Sequence, residues 1–343
     1  MQPLSYHEPE LTAPVLLCNP DGTLNRDSIG WSRHPLHTCN LTWTTPRPKR
    51  WNYWCVTGDK FLTSIALSDR GMVGVGSASF LEYDTLRFIG QKGERANGEG
   101  IIMPDTVHAS LDYSHENIHV SMEAVSDNVT ILRATAADFG GVPLEAEITV
   151  TRPPGHETLN VVIPWSDKLF QFTSKHECLP ATGTVKIGSE TFEFTPSRTF
   201  ATFDYGRGFW PQRSAWNWAA ASGIQQGRAV GLNLGGKWTD GTGMNENGFV
   251  VDGCLTKLSE DLIWEYDTAD FLRPWTIRTS VSDRLYVRLE PIHNRHDLTQ
   301  GQNYHREVNQ AMGYFTGYLV PDDGDRIELS DLFGWAEELH ATW

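Results

Sequence analysis

The sequence predicts an all-β protein. Three observations lead there: short segments of apolar–polar alternation recur along almost the whole chain, turn-forming clusters separate them at sandwich or barrel spacing, and long helical periodicity is almost absent. Alternation sends successive side chains to opposite faces, so each segment reads as a half-buried strand.

In chain order, Trp51–Trp54 leads with an aromatic strand, and Lys60–Leu67, Asn117–Met122, Glu145–Thr151 and Arg284–Leu289 alternate clearly. Ser68–Gly71, Gly98–Gly100, Pro153–Gly155 and Asp322–Gly324 supply the breaks. A second Trp-led strand, Trp216–Trp218, stands near the start of the other half. Two late segments, Arg306–Met312 and Leu332–Leu339, read as a turn or two of helix. Between Thr173 and Glu190 the chain passes Lys175, Pro180, Gly183 and Gly188, which sets a division near residue 185 and predicts two β-domains, 1–185 and 186–343.

Composition narrows the function classes. The chain has 343 residues, 39% of them hydrophobic and 21% charged, as expected of a folding globular protein. Its formal charge of −15, with no basic cluster beyond Arg47, Lys49 and Arg50, argues against nucleic acid as a partner. The five cysteines are widely spaced and form no C-x-x-C pair, so reduced, mostly buried thiols are expected. Met1–Pro14 carries Glu8 and Glu10 and shows no secretory leader, and no apolar run is long enough for a spanning helix, so the expected location is cytoplasmic. No phosphate loop, dinucleotide fingerprint or serine-hydrolase elbow stands in a suitable setting, and the histidines match no metal-ligand pattern. No cofactor and no metal are expected; the partner is a small molecule, and the oligomeric state is left open.

A run of rare residues carries a family resemblance. Phe203–Pro211, Trp216–Ala219, Val230–Leu234, Lys168–Thr173, Asn245–Asn247, Asn309–Gly317, Gly334–Glu337 and Trp343 keep the order and spacing of the family known as domain of unknown function 2804, which the chain resembles over most of its length. More distantly it resembles carotenoid 1,2-hydratase (hydroxyneurosporene synthase), tocopherol cyclase and AttH-like proteins. That resemblance implies two lipocalin-like (calycin-type) antiparallel β-barrels, or strongly curved sandwiches, packed together. In the wider group an aspartate in a Trp-Phe-Asp-His-type segment precedes a Trp-Asp-Trp-type strand; Asp204 occupies that position here, followed by Tyr205 where a histidine is usual.

Asp204 is therefore the first candidate for acid–base chemistry, since a carboxyl held against Phe203, Trp210 and Trp216 would be desolvated and turned into a proton donor. The plain alternative is an ion pair with Arg207 or a turn cap. Arg207 lies between two glycines and could clamp an anionic group; Glu246, flanked by Asn245 and Asn247, is the second acid, with Tyr205 as a further assistant. Trp51, Trp54, Trp210, Trp216, Trp218, Trp238 and Trp275 are candidates to wall a cavity, and Glu307 enters a late strand where the wider group has an acid. These residues point to a hydratase, isomerase or cyclase acting on a largely apolar molecule; a carrier of lipids or metabolites and a glycoside-processing enzyme with paired carboxylates remain open beside it.

Overall fold

The computed structural model describes residues 7–43, 47–302 and 304–343. The first six residues of the segment read for a leader thus lie outside the described residues.

Two large curled antiparallel sheets dominate the molecule, beside a two-stranded parallel pair of Val15–Leu16 with His37–Thr38. The first runs in the order Phe88–Ala96, Val73–Glu82, Phe61–Asp69, Lys49–Thr57, Phe200–Phe209, Phe170–Ile187, Leu144–Thr151, Val129–Ala136, His119–Ser126 and Leu111–Ser114. The second runs Cys254–Lys257, Gly248–Val251, Arg228–Gly236, Arg213–Gln225, Ile327–Thr342, His305–Leu319, Leu285–Gln300, Trp275–Thr279 and Leu262–Glu265. The chain leaves the first sheet at Phe209 and enters the second at Arg213, and residue 185 lies inside the Phe170–Ile187 strand. The glycines and proline that suggested a linker there are absorbed by a strand: Gly183 takes φ +147° where a Cβ would strike the Glu147 carbonyl oxygen at 2.2 Å.

Each sheet curls around its own apolar core. Trp54, Val56, Phe172, Phe203, Tyr205 and Phe209 fill the first, and Leu232, Phe249, Trp275, Phe315 and Ala336 the second. The faces turned away from these cores meet one another. Cys55, Leu62, Trp218, Met312 and Trp335 interlock there, and Trp31, Ile163, Trp210, Trp238 and Val250 form a further shared cluster. The strands in contact are therefore buried on both faces.

That double burial corrects both helix expectations. Arg306–Met312 lies in the His305–Leu319 strand, and Leu332–Leu339 in the Ile327–Thr342 strand. Apolar residues are needed on both sides of such a strand, so the period-2 signal disappears and the segment resembles one turn of a buried helix. Among the described residues there is no α-helix, only a 3-10 turn at Arg26–Ser28. Cys18, Cys39, Cys55 and Cys178 are buried free thiols and Cys254 is exposed.

Candidate functional site

Three neighbouring strands of the first sheet set one row of polar side chains toward the second. Lys175 stands opposite Asp204, and Asp204 opposite Tyr53, so the three project side by side from the same face. Lys175 is 5% exposed, a costly position for an ammonium unless it is paired. Its Nζ lies 2.9 Å from Asp204 Oδ1, 3.1 Å from Glu246 Oε2 and 4.4 Å from the centre of the Trp218 ring.

Glu246 arrives from the second sheet, on the loop before Gly248–Val251. The flanking asparagines fasten that loop: Asn247 Oδ1 accepts from the Gly235 amide at 2.7 Å, Asn247 Nδ2 donates to the Glu260 carbonyl at 3.1 Å, and the Asn245 amide donates to Glu8 Oε1 at 2.7 Å. Asn233 Nδ2 holds the Glu246 carbonyl at 2.6 Å. Gly235 leaves the room the carboxyl needs, since a Cβ there would come within 2.4 Å of Glu246 Oε1. Trp238 Nε1 donates to the same oxygen at 2.7 Å.

Two carboxyls thus share one ammonium. Burial weakens an ammonium, yet the flanking Asp204 and Glu246 outweigh that effect and hold Lys175 above the usual lysine range. Glu246 moves up from the ordinary carboxyl range because it is buried and because Asp204 is close, with Lys175 only partly opposing. A single positive charge does not balance two carboxylates, so burial and the nearby Asp204 favour a proton on Glu246. Asp204 differs in access. Its Oδ1 takes the bonds to Lys175 and, at 3.3 Å, to Thr173 Oγ1, while its Oδ2 has no hydrogen bond among the described residues and is not sealed from solvent.

A cavity of about 480 Å³ opens over this centre, between the sheets and outside both cores. Trp51, Trp210, Trp216, Trp218 and Trp238 wall it, with Tyr53 packed edge-on against Trp218. Trp210 is the hub of the wall, 5.3 Å from Trp238, 5.3 Å from Trp216 and 5.9 Å from Trp51. Gly206 lets the Trp51 indole lie on the strand, where a Cβ would meet it at 2.2 Å. Glu337 also faces the cavity; burial raises its pKa, and it accepts from Trp216 Nε1 at 2.8 Å and from Gln310 Nε2 at 3.2 Å.

The structure therefore brings together Asp204, Glu246, Trp210, Trp216 and Trp218. It sends others elsewhere. Asp204 lies within the Phe200–Phe209 strand, so Tyr205 and Arg207 face the opposite way, into the first core. Arg207 does not pair with Asp204: its guanidinium sits 3.8 Å over the Tyr205 ring and donates to the Trp51 and Gly206 carbonyls and to Asn52 Oδ1, each at 2.8 Å. Trp54 stacks on Phe203 at 4.1 Å, and Trp275 stacks on Tyr266 at 3.9 Å in the second core. Asn245 and Asn247 act on the Glu246 backbone from outside the cavity lining, and Glu307 faces away, 3.1 Å from His296.

Lys175 and Glu337 were missed in the sequence. A signal for Lys175 existed in the unbroken polar run Thr173–Glu177, unusual for a strand flanked by Phe170 and Phe172. Among the described residues, no group of three or more His, Cys, Asp or Glu side chains is placed to hold a metal ion, and no helix is long and apolar enough to cross a membrane.

Comparison with known proteins gives a family and a coarse likeness. No curated protein matches the sequence. Kievitone hydratase from Nectria haematococca superposes with a TM-score of 0.45 at 9% identity, over 86% of this chain and 88% of its own. An AttH-like protein from Nitrosomonas europaea gives 0.44 at 9% identity, over 95% of this chain and 98% of its own. The family model described as Domain of unknown function (DUF2804) matches residues 8–343.

Proposed function

The chain belongs to the DUF2804 family, and from that premise we propose that it is an acid–base enzyme of hydratase, isomerase or cyclase type acting on a small, largely apolar molecule. The observation that carries this reading is the buried Lys175–Asp204–Glu246 centre at the base of a tryptophan-walled cavity. Asp204 is the group that meets the substrate, through Oδ2; Glu246 holds the exchangeable proton of the pair; Lys175 keeps the two carboxyls within reach of one another and positions both. Moving a proton to or from carbon beside a double bond suits such a pair, in which one carboxyl is ionised and balanced by the ammonium while the other carries the proton to be exchanged.

The arrangement disfavours glycoside cleavage. Carboxyls used on opposite sides of a glycosidic bond need the sugar between them, and here the Lys175 ammonium occupies the space between Asp204 and Glu246. A carrier uses the same walls without the proton transfer.

The test is solvent deuterium. Incubated in deuterated water with a total lipid and metabolite extract, the protein should place deuterium on carbon in one compound class read by mass spectrometry, and Asp204→Asn should not. Tight retention of a compound without isotope uptake by the wild-type protein would establish the carrier instead.

A further inference from the structure

The cavity has a second end. Its lining also includes Lys49, Arg70, Lys92, Arg295 and Arg306, five cations, against four carboxylates, Asp69, Glu94, Asp297 and Glu337, the last within reach of the Arg295 and Arg306 charges. In a chain of formal charge −15, a local excess of positive charge needs a cause.

The sheet register places this end. Trp218 pairs with Glu337, Glu337 with Gln310, and Gln310 with Arg295, so the four stand in one row on one face. At about 4.8 Å per strand, Arg295 lies roughly 14 Å from the Trp218 position that covers Lys175. Arg306 lies further along its strand, opposite Thr299.

The cations are under-partnered. Arg306 is 3.1 Å from Asp297, and Lys92 is 2.8 Å from Glu94. Lys49 donates to the Arg70 carbonyl and lies 4.6 Å from the Trp343 ring. Among the described residues, the Arg70 and Arg295 guanidiniums have neither a hydrogen bond nor an ion pair; Arg295 lies 6.0 Å from the Phe88 ring and within electrostatic reach of Asp297 and Glu337. Burial and the neighbouring Arg70 and Arg295 charges push Arg306 down to about 9. Guanidiniums gathered around one carboxylate repel each other, and each keeps donors in planar array for an oxyanion.

We propose that this end is an anion subsite formed by Arg70, Arg295 and Arg306, so that the ligand is amphipathic: a carboxylate or phosphate head held here and an apolar body laid along the tryptophan wall toward Lys175. This rests on the reading of the cavity as the ligand site and is independent of whether Asp204 transfers a proton. The carboxylate and the phosphate ester share one recognition chemistry, and the test separates them.

Tryptophan fluorescence titrations with dodecanoate, dodecyl phosphate and dodecanol are the measurement. Either or both anions should bind at least tenfold more tightly than the alcohol, and the tighter anion identifies the head group. Arg70→Gln and Arg295→Gln remove no side-chain hydrogen bond among the described residues. Each should weaken anion binding several-fold, and together they should abolish the preference while leaving dodecanol unchanged. Equal binding of alcohol and anions, absence of anion binding, or a preference that survives the double substitution would overturn the subsite. Asp204→Asn should keep the anion preference. Deuterium uptake persisting without any anion preference would therefore remove the subsite alone, and anion preference without deuterium uptake would remove only the enzymatic reading.

Discussion

Lys175 and Lys257 both bury their side chains, and they behave differently. Lys257 donates to Glu8, to Asn245 Oδ1 at 2.6 Å and to the Leu258 carbonyl at 3.2 Å, so three acceptors use its three protons. It meets one carboxylate, touches no cavity, and burial lowers it to about 8. Lys175 meets two carboxylates, stands at a cavity, and is held above its usual range. A buried ion pair alone is therefore a poor marker of function, and one partner too many beside an open space is a better one. Lys257 clamps the loop from below while Lys175 shares a proton inventory above it.

The sharpest way to break this contrast is at Asp204. Asp204→Asn should lower deuterium incorporation by roughly two to four orders of magnitude, the usual worth of a positioned acid–base group. Lys257→Met should leave the rate per folded molecule unchanged and instead cost about 3–5 kcal/mol in urea unfolding, because it strands the buried Glu8 carboxylate. A catalytic collapse in Lys257→Met at full stability would reverse the two assignments.

Acid sensitivity should report on the histidines that desolvation holds below their usual range, among them His108, His156, His176 and His37, the last with its ring 4.5 Å from Phe172 and Nε2 2.9 Å from the Ser28 carbonyl. Burial lowers its pKa from 6.5 to about 4. Above pH 6.5 both folded and unfolded chains carry it neutral; as pH falls toward 4, only the unfolded chain takes the proton, so stability drops by about 3 kcal/mol across that window. His37→Gln should remove its share of that slope, leaving a shallower one from the other histidines, in urea midpoints measured from pH 7 to pH 4. The smallest effect is expected at Trp238→Phe. It deletes the hydrogen bond that favours ionised Glu246, worth about 1 kcal/mol, and should move the Glu246 limb of the rate profile to higher pH by less than about one unit.

The fold was legible wherever a strand has one wet face. Glu145–Thr151 alternates buried and exposed almost residue by residue, and its reading needed no other information. The strands between the sheets hid themselves: in Leu332–Leu339 every residue is buried, so alternation had nothing to contrast. The site followed the same logic. Asp204 was singled out by its place in the resembled segment, but the glycines on either side of Arg207 masked the parity of the strand, which alone says that residues 205 and 207 face away from 204. Lys175 lay in the stretch taken for a linker, where proline and glycine outweighed the polar run. Its pairing with Glu246 joins the two sheets across 71 positions of chain, and no local pattern encodes it.

The cavity belongs to neither sheet by itself, and this gives it a place in time. During synthesis Lys175 and Asp204 emerge with the first sheet and face water as an ordinary pair; Glu246 and most of the indole wall come later. The ligand chamber exists only once the second sheet has closed over the first. Whatever occupies it acts as a clasp between the two, strengthening their union by about 2.7 kcal/mol when present at a hundred times its dissociation constant. Force or heat that parts the sheets would empty the chamber in the same stroke.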